Sequence, residues 1–165
     1  MNLKIVKTNK QMADIRKIKE QMEYLTRSEN VPVNKVERID NKDLLWKVIF
    51  DGPEESPYED GIFTLKFIFK PGFPKTGPEA RFITPMFHPN IDPDNDQHVC
   101  INLLNEWDEN RTIEDVILGI FDILINPTTI NAYPNNEATK LLAKNYDEYY
   151  DKVEEYTYKY AKKEY

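Results

Sequence analysis

The run Leu44-Leu45-Trp46-Lys47-Val48-Ile49-Phe50-Asp51-Gly52-Pro53, with Ile62-Phe63-Thr64-Leu65-Lys66-Phe67-Ile68-Phe69 after it, sets the fold class. Both halves are rich in branched and aromatic side chains, which fit a pleated, half-buried surface, and Asp51-Gly52-Pro53 closes the first with turn chemistry. A further run, Val33 to Ile39, precedes them across the turn residues Asp40-Asn41-Lys42-Asp43, and Arg81-Phe82-Ile83-Thr84 gives a fourth, shorter strand. Connections of this kind favour an antiparallel meander, because parallel neighbours need a crossover of about a dozen residues or more.

Upstream, Ile15, Ile18, Met22 and Leu25 recur at helical spacing with Arg16, Lys17, Lys19 and Glu20 between them, which predicts an N-terminal helix with one apolar stripe. Asn30 to Pro32 ends it. Between the third and fourth strands, Lys70 to Pro78 carries prolines at 71, 74 and 78 and reads as a loop, with Phe73-Pro74 a candidate cis bond. Downstream, Thr112 reads as an N-cap with Asp115 three residues on, a shortened capping box, and Ile113, Val116, Ile117, Ile120 and Leu124 share one face until Asn126-Pro127 stops the helix. Two more helices are expected, from about Glu137 to Lys144 and along Tyr149, Val153, Tyr156 and Tyr160. Tyrosine on that last stripe suggests packing against a partly exposed surface. The chain is therefore expected to be α+β: an N-terminal helix, a four-stranded antiparallel meander, an irregular segment and C-terminal helices, in a single domain over residues 1–165.

Composition narrows the function classes. A net charge of -7 repels a phosphate backbone, so nucleic acid is not the expected partner. No apolar stretch approaches the roughly 18 residues of a membrane span, and the first residues lack the apolar core of a signal peptide, so a protein of the cytosol or nucleus is expected, with no membrane contact. Two histidines and one cysteine form no spaced ligand set for a metal, and nothing in the sequence asks for a cofactor.

The segment from Thr84 to Arg111 has little regular period and holds both histidines, the only cysteine and Trp107. Long irregular segments in compact domains are commonly functional. Within it runs Phe87-His88-Pro89-Asn90-Ile91-Asp92-Pro93-Asp94-Asn95-Asp96-Gln97-His98-Val99-Cys100-Ile101-Asn102-Leu103-Leu104. Cys100 has no partner for an internal disulfide, so its possible meanings are a sulfur nucleophile, a small buried side chain or a weak single metal ligand.

The order of elements and these residues resemble the ubiquitin-conjugating enzyme family over essentially the whole chain. Pro57-Tyr58-Glu59-Asp60-Gly61-Ile62-Phe63 resembles the family's PYxGGxF element, His88-Pro89-Asn90 matches its HPN signature, and Val99 to Leu104 resembles its ICLxxL run around the active cysteine. Trp107 and Thr112-Ile113 follow at family-like distances. The resemblance implies the ubiquitin-conjugating fold and transfer of ubiquitin, or a related modifier, through a thioester on Cys100. Sulfur suits this chemistry, because it is nucleophilic enough to take the modifier from another thioester and leaves readily when an amine attacks. An ordinary thiol, with a pKa of about 8.5, already supplies some thiolate at neutral pH without a histidine base.

By the same resemblance Asn90 supplies its amide near the oxyanion formed as lysine attacks, or holds the neighbouring loop in shape. His88 and Pro89 shape the turn, Trp107 supports the site, and Arg16 and Lys17 face the activating enzyme, although as a solvated helix face they need no partner. His98, two residues before Cys100, is a candidate base that the resemblance assigns no role. Implied partners are the modifier, the activating enzyme, a ubiquitin ligase and substrate lysines.

Several residues depart from the family pattern. Ten positions separate Asn90 from Cys100, a longer interval than is common in the family, which places a small insertion between Asp92 and His98. Lys75 stands where a ligase-binding aromatic is usual, and Asp108-Glu109 follows Trp107 where the family often has Ser-Pro. These three residues are the ligase-facing candidates. Asn131 is nearest to a position where an acidic residue often orients the incoming lysine, and it cannot act as a carboxylate base.

The modifier is ambiguous on sequence. Pro57 to Phe63 is more ubiquitin-like, whereas Asn110 to Asp115 and the tyrosine-rich end are similar to conjugating enzymes for NEDD8. Ubiquitin, the larger class, is taken first. Two rival functions share some of these residues. A cysteine hydrolase would pair Cys100 with His88 or His98, but no local hydrolase signature supports it. A non-catalytic ubiquitin-binding variant would keep the fold without the thiol chemistry, and the presence of both Cys100 and Asn90 argues against it.

Overall fold

The computed structural model describes residues 12–130 and 133–163. The expected N-terminal helix is α1, Ile15–Leu25. Asp14 caps it by accepting from the Lys17 N–H, and the helix buries Ile18, Met22 and Leu25.

The meander comprises β1 (Val33–Arg38), β2 (Leu45–Asp51), β3 (Ile62–Ile68) and β4 (Glu79–Phe82), each antiparallel to the next. The fourth strand begins two residues earlier than the sequence predicts. Beyond Phe82 the ladder gives way to a different pattern: the Ile83 N–H donates to the Thr64 carbonyl, and the Thr84 hydroxyl accepts from the Thr64 N–H.

Alternation in β2 and β3 puts Trp46, Val48, Phe50, Phe63, Leu65 and Phe67 on one buried face. On that face lies α3, Ile113–Ile125, with the Phe121 and Phe50 rings 4.9 Å apart. Each such aromatic contributes about 1.5–3 kcal/mol through its removal from water. The start of α3 is a complete capping box, Thr112 accepting from the Asp115 N–H while the Asp115 carboxylate accepts from the Thr112 N–H. Gln21 of α1 accepts from the Ile113 N–H, which locks the two helices together.

The segment expected to be irregular holds three short elements. They are β5 (Ile91–Asp92), β6 (His98–Val99) and α2 (Asn102–Asn105). Strands β5 and β6 form a hairpin that joins β4 through the Arg81–His98 pair, so the expected four-strand meander is the larger part of a six-stranded sheet in the order β1-β2-β3-β4-β6-β5. The Phe73-Pro74 bond is cis.

The remaining helices are α4 (Asn136–Lys144), capped by Asn135, and α5 (Tyr146–Tyr160), capped by Asn145. On the tyrosine stripe Tyr149 and Val153 are buried, Tyr156 is half-buried and Tyr160 is exposed, a gradient from core to surface. The end of α5 is tied to the connection between β2 and β3: Thr157 donates to the Pro57 carbonyl, and the Ile62 N–H donates to the Ala161 carbonyl. In that connection Gly52 lies so close to the Tyr58 carbonyl that a Cβ would fall 1.7 Å from its oxygen, so glycine is required. Among the described residues no helix is long and apolar enough to cross a membrane.

Candidate active site

His88, Pro89 and Asn90 form a buried turn between β4 and β5. His88 is fully buried and uses both ring nitrogens: Nε2 lies 2.7 Å from the Ile123 carbonyl in α3, and Nδ1 accepts from the Asn90 N–H at 3.0 Å. A carbonyl on one side and an N–H on the other assign the neutral ring with its proton on Nε2. Burial pushes its pKa down to about 4, against the smaller opposing effect of the Ile123 carbonyl. His88 thus has both ring nitrogens engaged in bonds that hold the turn. Two further bonds pin the turn: the Asn135 N–H donates to the Pro89 carbonyl, and the Tyr58 hydroxyl donates to the Phe87 carbonyl.

This turn carries Cys100. The Cys100 N–H donates to the Asn90 carbonyl at 2.8 Å, and Asn90 Nδ2 donates to the Cys100 carbonyl at 2.8 Å. Rotating that amide by a half turn would set two oxygens against each other, so the donor's placement follows from its partner. Asn90 is only 4% exposed, and its amide clamps the backbone of the cysteine rather than pointing at the sulfur. Of the two roles implied for Asn90, loop-holding and oxyanion donation, the bond seen here is to the Cys100 backbone.

Cys100 itself is half-buried, with Val99 and Ile101 buried on either side. Asn105, in the last turn of α2, points its amide at the sulfur, with Nδ2 to Sγ at 3.4 Å. Arg111 holds that short helix in place by donating to the Leu103 and Glu106 carbonyls. Trp107 follows as a packing residue: its indole N–H donates to the Pro74 carbonyl at 2.7 Å, and its ring lies 6.1 Å from that of Phe73. The same bond brings the loop bearing Lys75 to the loop bearing Asp108 and Glu109, all three exposed. The ligase-facing candidates therefore share one end of the molecule. An aspartate turn holds the second loop, with Asp108 accepting from the Asn110 N–H.

The Asp92–His98 segment forms a hairpin. Arg81 reaches from β4 to the Asn95 and Asp96 carbonyls, Gln97 accepts from the Met86 N–H, and Asp96 and Gln97 both take left-handed backbone. His98 faces this charged neighbourhood. Burial, followed by the Arg81 charge, lowers its pKa. Arg16 and Lys17 lie exposed on α1, Arg16 3.9 Å from Glu20 across one helical turn. Asn131 lies outside the described residues.

Cavities of about 640, 410 and 340 Å³ lie elsewhere, none of them lined by Cys100. Among the described residues no group of three histidine, cysteine or acidic side chains could hold a metal ion.

Asn105 and Asn135 were not singled out from the sequence, and Tyr58 and Arg111 entered only within family-like stretches, without roles of their own. Asn135 had a local signal, an asparagine directly before a helical pattern, whereas the other three act only through tertiary contacts.

A family described as ubiquitin-conjugating enzyme matches residues 16–157. Ubiquitin-conjugating enzyme E2 S-A of Xenopus laevis is 38% identical over 104 residues, covering 62% of this chain and 45% of that protein. Ubiquitin-conjugating enzyme E2 S of Homo sapiens is 38% identical over 104 residues, covering 62% and 46%. The E2 S of Drosophila willistoni is 33% identical over 135 residues, covering 80% of this chain and 64% of that protein. The chain spans about half the length of the curated relatives it matches. In structure, the E2 domain of a Toxoplasma gondii ubiquitin conjugating enzyme superposes with a TM-score of 0.78 at 24% identity, covering 89% of this chain and 98% of that one, which bears on the fold alone.

Proposed function

This chain belongs to the ubiquitin-conjugating enzyme family, and we propose that it accepts ubiquitin as a thioester on Cys100 and passes it to a lysine amine of a protein substrate. One observation carries the reading: the half-buried Cys100 sits on a backbone that Asn90 grips from both sides. Such a grip fixes the nucleophile while leaving its outer face open to two large partners in turn.

In the first step the Cys100 thiolate attacks the carbonyl of ubiquitin's C-terminal thioester on the activating enzyme. A new C–S bond forms, the old one breaks, and the activating enzyme's sulfur leaves as a thiolate. In the second step a lysine nitrogen attacks the same carbonyl, its proton passes to water, and Cys100 leaves as a thiolate. Neither step needs a metal or cofactor. Lys75, Asp108 and Glu109, at one end of the molecule, are the surface proposed to meet a ligase, and Arg16 and Lys17 on α1 the surface proposed to meet the activating enzyme. A working free thiol suits a reducing compartment such as the cytosol or nucleus.

The relatives' names favour ubiquitin over NEDD8. The test incubates the chain with ATP and either ubiquitin or NEDD8, each with its own activating enzyme, and separates the products with and without reductant. The expected result is a reductant-sensitive adduct with ubiquitin and little with NEDD8. The reverse preference would change the modifier, and no adduct with either would overturn the proposal.

A further inference from the structure

We infer that Asn105 is a catalytic residue: its side-chain amide donates to the Cys100 sulfur whenever that sulfur carries negative charge. The role in modifier transfer rests on the reading above, whereas the contact itself does not. Asn105 Nδ2 lies 3.4 Å from Sγ, and this is the hydrogen bond described for the sulfur in the structure. Thiol sulfur is a weak acceptor, but a thiolate is a strong one, so the bond strengthens as charge collects on the atom. Charge is on the sulfur at two points, in the thiolate before it attacks the incoming thioester and passes its charge to the carbonyl oxygen, and again as the C–S bond breaks and its electron pair returns to sulfur. A donor already in place raises the share of thiolate before the first step and stabilises the departing thiolate in the transition state of the second.

The donor is held rather than free to wander. The Asn105 N–H donates to the Ile101 carbonyl at 3.0 Å, and the Glu106 N–H closes the next turn on the Asn102 carbonyl at 2.8 Å. Arg111 bonds the carbonyls on either side of Asn105, those of Leu103 and Glu106. Leu103 in turn seats against Gly119 of α3, where a Cβ would lie 2.3 Å from its Cδ1. The close approach of α2 to α3 sets where Asn105 stands, and the residue's own side chain is left to the sulfur.

The surrounding charges make a neutral donor fitting. Along the chain Cys100 is preceded by Asp92, Asp94, Asp96 and His98 of the hairpin and followed by Glu106, Asp108 and Glu109. The carboxylates carry the same sign as a thiolate. From α3 the chain offers Glu114, Asp115 and Asp122, the first accepting from the Ser28 hydroxyl, the second engaged in the capping box and the third accepting from Asn126. The cations in this region are engaged elsewhere, Arg111 on the α2 carbonyls and Arg81 on the hairpin and Glu79. The amide of Asn105 therefore offers the sulfur hydrogen-bond stabilisation without bringing a cation that would bind those acids.

The test measures alkylation of Cys100 by iodoacetamide from pH 6 to pH 10 in the parent chain, Asn105→Ala and Asn105→Asp. The reaction involves no modifier, so it succeeds or fails independently of the transfer reading, which reductant-sensitive adducts test separately. Both variants replace an exposed side chain, and their folding is checked by unfolding in urea. At pH 7 the alanine variant is expected to react about three- to tenfold more slowly, the equivalent of one hydrogen bond, and the aspartate variant more slowly still. At the alkaline end of the range the alanine variant should match or exceed the parent, because a thiolate freed of its donor is the stronger nucleophile. An alanine variant equal to the parent at pH 7 would overturn the assignment. So would a deficit of the same size at every pH, which marks altered access rather than a donor.

Discussion

Two turns precede Cys100 within a dozen residues, and they are held by opposite means. The His88–Asn90 turn is buried and fixed by bonds to α3, to the start of α4 and to the cysteine backbone itself. The Asp92–Gln97 hairpin is largely exposed, held by Arg81 from the neighbouring strand and, at its base, by Gln97, which accepts from the Met86 N–H and from the Phe82 N–H. The first is buried throughout, whereas the second meets the core only at its base, where Ile91 and Val99 are buried. The position of the sulfur is thus set chiefly by the buried frame.

Replacing His88 by alanine should break that contrast most severely. The variant loses two hydrogen bonds to buried partners and leaves a cavity, for an expected loss of about 3–4 kcal/mol in urea unfolding. A loss under about 1 kcal/mol would mean that the turn is held by something else.

Acid should act on the same residue. His88 titrates near 4 in the folded chain, against about 6.5 when exposed, so the unfolded state binds more protons between those values. Stability that is fully present above pH 6.5 is therefore lost as pH falls toward 4, on the order of 3 kcal/mol in all. His98, whose pKa is also lowered, adds a smaller loss in the same direction. Urea midpoints of the parent and His88→Gln between pH 7 and pH 4.5 check this: the variant should show a clearly shallower decline, and equal slopes would remove His88 as the cause.

The smallest effect is expected at the hairpin. Arg81→Ala should cost about 1 kcal/mol and leave the rate of thioester formation within about twofold of the parent. A large loss of charging, measured by quenched-flow gels, would show that the hairpin sets the sulfur's position after all.

The same contrast explains what could be read in advance. Strands β2 and β3 are seven residues each and declare themselves through their branched and aromatic content, and α3 through five apolar residues on one face and a local cap. Elements β5, β6 and α2 are two to four residues long, too short to show a period, and exist because Arg81, Gln97 and Arg111 tie them down from a distance. In the site, Cys100 and the His88-Pro89-Asn90 turn were legible as a motif. Asn105 was not, because only the fold of α2 against α3 brings a surface asparagine to the sulfur.

The central claim, that Cys100 carries the modifier, is tested most directly by the intact mass of the chain after incubation with ubiquitin, activating enzyme and ATP. The account predicts a gain of one ubiquitin less one water, reversed by added thiol and absent in Cys100→Ala. An adduct that persists in Cys100→Ala, or none in the parent chain, would contradict it.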